Sequence, residues 1–250
     1  NVMGYPTDLT GTPNSTTTAP LVIPAGAPIP AQVTSEITAS FNLDARAVIA
    51  ASAVPPTPYS TYGAPMTGFD PQGVEVPIRM YFIKTAADAW DVYDGDPLGV
   101  PTPGNNLGSL TFDNTGNLLT PAAPATLNIT LTSSNPNIAP FVVPIDFSGA
   151  TQYGTAFAVS ELTQDGYTAG TLTGVSISEE GVITTRYSNG QSQATGQLAL
   201  AEFRNVQGLK PVGQGNWVET NTSGQPIQGN PGQGNFGSIN SGALEASNVD

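Results

Sequence analysis

Three features of this 250-residue sequence predict an all-β fold. It holds 28 Gly and 23 Pro, about one position in five against an average nearer one in eight, which leaves little room for long helices. Short runs of alternating apolar and polar residues recur along it, the period-two pattern of half-buried strands. Turn-forming sets such as Asp113 to Asn117 (DNTGN) and the Asn189-Gly190 pair separate those runs. The length allows one large or two ordinary domains, and the order of the segments favours two.

Residues 1–32 are rich in Pro, Thr and Ala and read as an irregular surface-hugging segment with at most a short strand at Leu21 to Ile23. The first clear strand is Ser35 to Leu43, with Ile37, Ala39, Phe41 and Leu43 on one face and Thr38, Ser40 and Asn42 on the other. Pro55, Pro56, Pro58, Pro65 and Pro71 then interrupt regular structure over Ala51 to Pro71, where a crossing between domains is placed. Val74, Val76, Ile78, Met80 and Phe82 alternate with polar or outward positions, and a turn at Thr85 to Asp88 returns the chain through Trp90 and Val92 as a half-buried antiparallel ribbon. Leu107 to Phe112 with Leu118 forms a second hairpin around the DNTGN turn; Leu127 to Leu131 and Phe141 to Phe147 are further short strands.

Leu172 to Ile177, Val182 to Tyr187 and Gln191 to Phe203 are predicted as a three-stranded meander, with turns at Glu179 to Gly181 and at Asn189-Gly190, the latter as a two-residue type I′ hairpin. This meander is expected to pair with the Ser35 to Leu43 strand. Beyond Val206 the chain reads as a Gly, Asn and Gln-rich loop until Ser241, and Ala243 to Ser247 as the opening of a helix.

Nineteen acids against six bases give a net charge of −13, while charged residues make only 10% of the chain. Six scattered cations cannot neutralise a row of phosphates, which argues against nucleic acid and an anionic membrane surface as partners. No apolar run reaches the roughly 20 residues of a spanning helix. The chain begins at Asn1 without a basic and apolar leader, so it reads as a piece of a longer protein. Cysteine and histidine are both absent. That removes thiol nucleophiles, Ser-His-Asp triads, imidazole bases and zinc sites built on Cys or His.

Some local patterns resemble chemistry, and each has a plainer reading. Gly232, Gly234 and Gly237 match GxGxxG but lack the strand before and the helix after that a dinucleotide site needs, so they read as loop glycines. Asp88, Asp91, Asp94 and Asp96 crowd one turn, as a hard cation would require, yet their spacing is not that of an EF-hand; a solvated turn is expected, with weak cation binding left open. Asp70/Glu75 and Glu179/Glu180 are the nearest carboxylate pairs for glycoside hydrolysis, each at a turn or strand edge where acids are ordinary. Trp90, Trp217, Tyr153 and Tyr167 could line a sugar-binding face, but core or packing roles are the expectation. The triplets at Asn14, Asn128 and Asn221 are glycosylation acceptors only in a eukaryotic secretory route. The expectation is no catalytic residue, no metal and no cofactor, with Asp91, Asp94, Asp96, Glu179 and Glu180 largely exposed.

The segments Gln164 to Gln191 (QDGYTAGTLTGVSISEEGVITTRYSNGQ), Gly196 to Thr220, Ser223 to Pro226 and Ser241 to Asp250 (SGALEASNVD) resemble the bacterial flagellar hook proteins. Gly4 to Pro6, Ala39 to Ala45 (ASFNLDA) and Tyr81 to Tyr93 are similar to them too, whereas FDPQGV at Phe69 to Val74 and the N-terminal Pro/Thr stretch depart from their pattern. The resemblance implies two β-rich domains in line: a discontinuous inner one of residues 1–43 and 164–250, and an inserted outer one of residues 44–163. It also implies a non-enzymatic structural subunit of the hook, polymerising with itself into a curved flexible tube that transmits torque. Its neighbours would be axial rod and junction proteins and, during assembly, the hook cap; its location would be the extracellular flagellum, reached through the flagellar export apparatus. Without the family's terminal helices the chain itself is expected to be monomeric in dilute solution. A distal rod or hook-filament junction protein is the nearest alternative, followed by a secreted carbohydrate-binding β-sandwich and a carboxylate glycosidase.

Overall fold

A computed structural model of the chain describes residues 2–22, 28–50, 61–97, 104–213 and 215–243. In chain order the strands are β1 (Met3–Tyr5), β2 (Ala19–Pro20), β3 (Ile37–Asp44), β4 (Thr61–Phe69), β5 (Glu75–Ala86), β6 (Ala89–Tyr93), β7 (Asn106–Phe112), β8 (Leu118–Thr120), β9 (Thr126–Leu131) and β10 (Phe141–Asp146). There follow β11 (Thr151–Tyr153), β12 (Ala158–Gln164), β13 (Leu172–Ile177), β14 (Val182–Tyr187), β15 (Ser192–Leu198), β16 (Leu200–Glu202), β17 (Lys210–Gly213), β18 (Asn216–Val218) and β19 (Ile227–Gly229), with a 3₁₀ turn at Val206–Gly208. No described helix is long and apolar enough to cross a membrane. The chain divides into two compact units: Asn1–Ile29 with Gly170–Asp250, and Pro30–Ala169.

The continuous unit is built from two sheets. One is antiparallel in the order β4-β5-β6-β7-β8. In the other, β3 takes β12 antiparallel along one side and, along the other, β10 and then β11 in parallel, with β9 beyond β10. The strict alternation of β3 carries Ile37, Ala39, Phe41 and Leu43 into the core, where they meet Ile78, Met80 and Phe82 of β5, Trp90 of β6 and Ile145 of β10. Phe41 lies at the centre, its ring 4.5 Å from that of Phe82 and 5.7 Å from that of Phe147. Burying each such side chain contributes roughly 1.5–3 kcal/mol.

The discontinuous unit holds the meander, which continues from β15 onto the N-terminal strands in the order β13-β14-β15-β1-β2. Its buried apolar side chains, among the described residues, are Tyr5, Ile29, Ile183 and Tyr187. Two separate ribbons follow, β16 with β19 and β17 with β18.

Among the described residues a single loop design recurs five times, at Asp8–Thr12, Asp70–Val74, Asp113–Asn117, Ser178–Val182 and Tyr187–Gln191. In each, the first N–H donates to the carbonyl of the fifth residue, and the N–H of the glycine at the fourth position donates to the carbonyl of the first. Those glycines, Gly11, Gly73, Gly116, Gly181 and Gly190, all have φ between 78° and 96°, the left-handed region in which a Cβ is penalised. This is the three-residue hairpin loop with a glycine bulge. Where the first residue is Asp, its carboxylate also accepts the N–H groups of the third and fifth residues.

Several sequence expectations are corrected. The strand of residues 35–43 does not pair with the meander; it is the middle strand of the other unit, and Val175 of the meander is 44% exposed. The divisions fall at Ile29/Pro30 and Ala169/Gly170 rather than at 43/44 and 163/164, because β12 pairs with β3 across the whole of residues 158–164. Residues 51–60 of the crossing expected within 51–71 lie outside the described residues; the described residues on either side of them belong to one unit. Residues 61–69 form β4 in spite of Pro65, because β4 is the outer strand of its sheet, where a missing donor is tolerated. The loop expected beyond Val206 contains β17, β18 and β19, and the short strand expected at 21–23 lies instead at Ala19–Pro20. The Asn189-Gly190 turn closes with three residues rather than two. The helix expected from Ala243 falls on residues 244–250, outside the described ones.

Candidate functional surface

The carboxylates that the sequence singles out serve local structure. Asp94 accepts the backbone N–H and the Nδ2–H of Asn105, at 2.6 and 2.9 Å. Asp91 accepts the Ser109 hydroxyl at 2.6 Å and Asn106 Nδ2 at 3.2 Å. Both are half-buried, so the expectation of exposure is corrected for them; Asp96, Glu179 and Glu180 are exposed. Asp88 accepts Gln152 Nε2 at 3.0 Å, and Gln152 in turn takes the indole N–H of Trp90 on its Oε1 at 2.6 Å. Among the described residues no group of three or more Asp, Glu, His or Cys is arranged to hold a metal ion.

The two proposed acid pairs separate in environment. Asp70 is fully buried whereas Glu75 is exposed. Asp70 takes the N–H groups of Gln72 and Val74 at 2.8 and 2.9 Å and the hydroxyl of Ser133 at 2.5 Å. Burial alone would raise its pKa; these donors outweigh burial and hold it below the ordinary carboxylate value. A buried carboxylate that takes three donors of its own protein is a structural clamp. Glu179 and Glu180 occupy the β13–β14 loop on the surface.

Of the four aromatics, Trp90 is fully buried, Tyr167 half-buried, and Tyr153 and Trp217 are 47% and 60% exposed. The core reading is thus corrected for Tyr153 and Trp217. Gly232, Gly234 and Gly237 lie in a turn closed by the N–H of Gly232 on the Gly237 carbonyl, with no helix after it among the described residues. A shallow open depression of about 630 Å³ in the discontinuous unit, bordered by Tyr5, Asn14, Ser15, Asn230 and Gln233, has no carboxylate or cation in its wall.

Sequence reasoning missed Lys84, which is 3% exposed, donates from Nζ to the Ala45 carbonyl and lies 5.6 Å from the centre of the Trp90 ring. Burial lowers its pKa against the opposing fields of Asp88 and Asp44. The signal available was a lone lysine within the apolar run of β5. Nearby, Asp44 is held at a pKa of about 2, chiefly by its hydrogen bond from Arg46, whose Nε and Nη2 both donate to it at 2.9 Å. What remains among the described residues is a surface of hydroxyls, amides and peptide groups with scattered apolar side chains.

Residues 42–167 match the family model described as the flagellar basal body protein FlaE D2 domain. The chain is 34% identical over 186 residues to the flagellar hook protein FlgE of Escherichia coli, covering 74% of this chain and 46% of the relative. It is 33% identical over 261 residues to the flagellar hook protein FlgE of Salmonella typhimurium, covering 99% of this chain and 62% of the relative. It therefore spans roughly half to two thirds of the length of these relatives. A crystal structure of the Helicobacter pylori flagellar hook protein FlgE2 aligns with 67% of this chain and 38% of that chain, at a TM-score of 0.49 and 22% identity.

Proposed function

This chain belongs to the flagellar hook protein family, and from that premise we propose that it is the β-rich body of a hook subunit that polymerises with itself into a curved, bendable tube and transmits torque between rod and filament. The observation that carries the reading is the family match over residues 42–167, half of the chain and nearly all of the continuous unit. A heterologous contact that does not close into a ring propagates as a helix, so one subunit type is enough to make a tube. A weakly charged surface supports sliding between neighbours, because contacts with few desolvated ions have little to lose when they shift.

In this reading the unit Pro30–Ala169 is the outer domain and the discontinuous unit the inner one. Function is mechanical, with no reaction and no cofactor; the partners are further copies of the subunit, the axial rod and junction proteins and the cap present during assembly, and the site is the extracellular hook. The test uses the absence of cysteine. Val142 of β10 is 60% exposed, so Val142→Cys in the full-length protein gives one labelling site on the continuous unit. Electron microscopy of the polymer should show a tube with maleimide-gold on its outer surface. A full-length protein that forms no tube, or a tube in which Cys at 142 is unreactive, overturns the corresponding part of the reading.

A further inference from the structure

Asn189 is the one asparagine in the sequence that is followed by glycine. Such a pair is prone to deamidation, because glycine has no side chain to crowd the succinimide ring that its backbone nitrogen closes on the asparagine carboxamide. Gly190 keeps that freedom in the fold: it is exposed, and nothing stands within 4 Å of where a Cβ would be. The Asp-Gly pairs Asp94-Gly95 and Asp165-Gly166 are less reactive, since an ionised carboxylate is a poor electrophile. Both carboxylates are also occupied, Asp94 by Asn105 and Asp165 by Ser35 and Glu36.

The fold restrains the Asn189-Gly190 pair at each atom the ring closure needs. The N–H of Gly190, whose proton must leave before the nitrogen attacks, donates to the Tyr187 carbonyl at 3.1 Å. Asn189 Oδ1 accepts the N–H of Gln191 at 3.1 Å. The half-buried carboxamide is seated on Gly170, where a Cβ would lie 2.6 Å from Asn189 Cγ and 2.7 Å from its Oδ1. Ser188 moors the loop beside that seat, donating its N–H to the Thr171 carbonyl at 2.9 Å and accepting the Thr171 N–H on its hydroxyl at 3.0 Å. All of these residues belong to the discontinuous unit.

We propose that Asn189 is a site of spontaneous deamidation gated by its seat on Gly170, so that conversion proceeds when the Tyr187–Gln191 loop opens. In the open loop the Gly190 nitrogen gives its proton to solvent and bonds to Asn189 Cγ, and the carboxamide nitrogen leaves as ammonia. Water then opens the succinimide at either carbonyl, leaving aspartate or isoaspartate at 189; nothing is oxidised or reduced. Either product adds a negative charge. Isoaspartate also inserts a methylene into the backbone between 189 and 190, which lengthens a loop whose closure on Tyr187 and Gln191 is set for three residues. The modification thereby loosens the β14–β15 hairpin, whatever the function of the chain.

Peptide mapping by mass spectrometry of the chain aged in mild alkali reads the conversion at each asparagine. The rate at Asn189 should be about tenfold lower in the folded chain than in urea, a ratio set by the opening equilibrium of the loop. Gly170 is not among the left-handed glycines, so alanine there tests the seat and not the backbone. Gly170→Ala should raise the folded rate at Asn189 about tenfold and leave Asn14 and Asn240, the asparagines followed by serine, unchanged. Ser188→Ala, which removes a mooring without touching the pair or its seat, should raise it about threefold. Equal rates at Asn189 in the folded and unfolded chain, no acceleration in either variant, or an acceleration shared by Asn14 and Asn240 in both variants overturns the proposal.

Discussion

Asp70 and Asp113 open the same kind of loop, yet one is buried and the other lies on the surface, and the two make different predictions. Asp70 has no water to replace a lost donor. Ser133→Ala, which removes its 2.5 Å hydroxyl partner, should therefore cost about 1–3 kcal/mol in urea unfolding; a change near zero would mean that the clamp is idle. Asp113 is held at a pKa of about 2, first by the Thr115 hydroxyl and then by the Asn117 N–H. A carboxylate depressed in the folded state stabilises above its unfolded value of about 3.9, and that stabilisation is lost as the pH falls through the folded value. Asp44, also at about 2, acts in the same sense. The melting temperature should fall between about pH 4 and pH 2 on account of this pair, and a carboxyl NMR titration should find Asp113 near 2 and, in Thr115→Val, closer to 4. An Asp113 midpoint near 4 in the unaltered chain would remove the basis for the acid sensitivity.

At the scale of the element, the five bulged loops separate backbone strain from packing. Gly190, at a φ of 83°, has open space where a Cβ would stand, whereas a Cβ on Gly116, at 86°, would lie 2.5 Å from the Gln152 carbonyl oxygen. Gly190→Ala should cost about the 1–2 kcal/mol of a left-handed alanine. Gly116→Ala should cost clearly more; equal losses would show that the Gln152 backbone yields freely. Strands with clean alternation, β3, β5 and β14 among them, were legible in the sequence because their burial pattern is written locally. Less legible was β4, whose Pro65 reads as a breaker until its outer position in the sheet is known. The ribbon β17–β18 escaped for the opposite reason: with all its residues exposed it has no buried face, hence no period to detect. Of the turns, DNTGN was readable as written, while Asp70–Val74 lay hidden in a proline-rich stretch.

Across the whole molecule, the presence of two units could be read from length and segment order, but not their boundary. Ile37, Ala39, Phe41 and Leu43 announce a strand with one buried face; they carry no mark of whether β12 or the meander lies beside it, since pairing over a hundred residues is decided by total packing. The candidate surface was legible mainly by exclusion, through the missing His and Cys, and Trp217 was misjudged because an aromatic in a sequence is more often core. The division of apolar burial leads to a last prediction. Apart from Tyr5, Ile29, Ile183 and Tyr187, the described buried apolar side chains all belong to the unit Pro30–Ala169. Stability follows buried apolar area, so this unit should outlast the other. Hydrogen exchange should find the amides of β13 to β15 opening at lower free energy than those of β3, β5 and β6, and heating should give two transitions. Phe41→Ala, which empties the centre of the larger core, should lower the later transition by the equivalent of about 3–5 kcal/mol and leave the earlier one in place. A single transition displaced as a whole by Phe41→Ala would mean that the two units fold as one cooperative body.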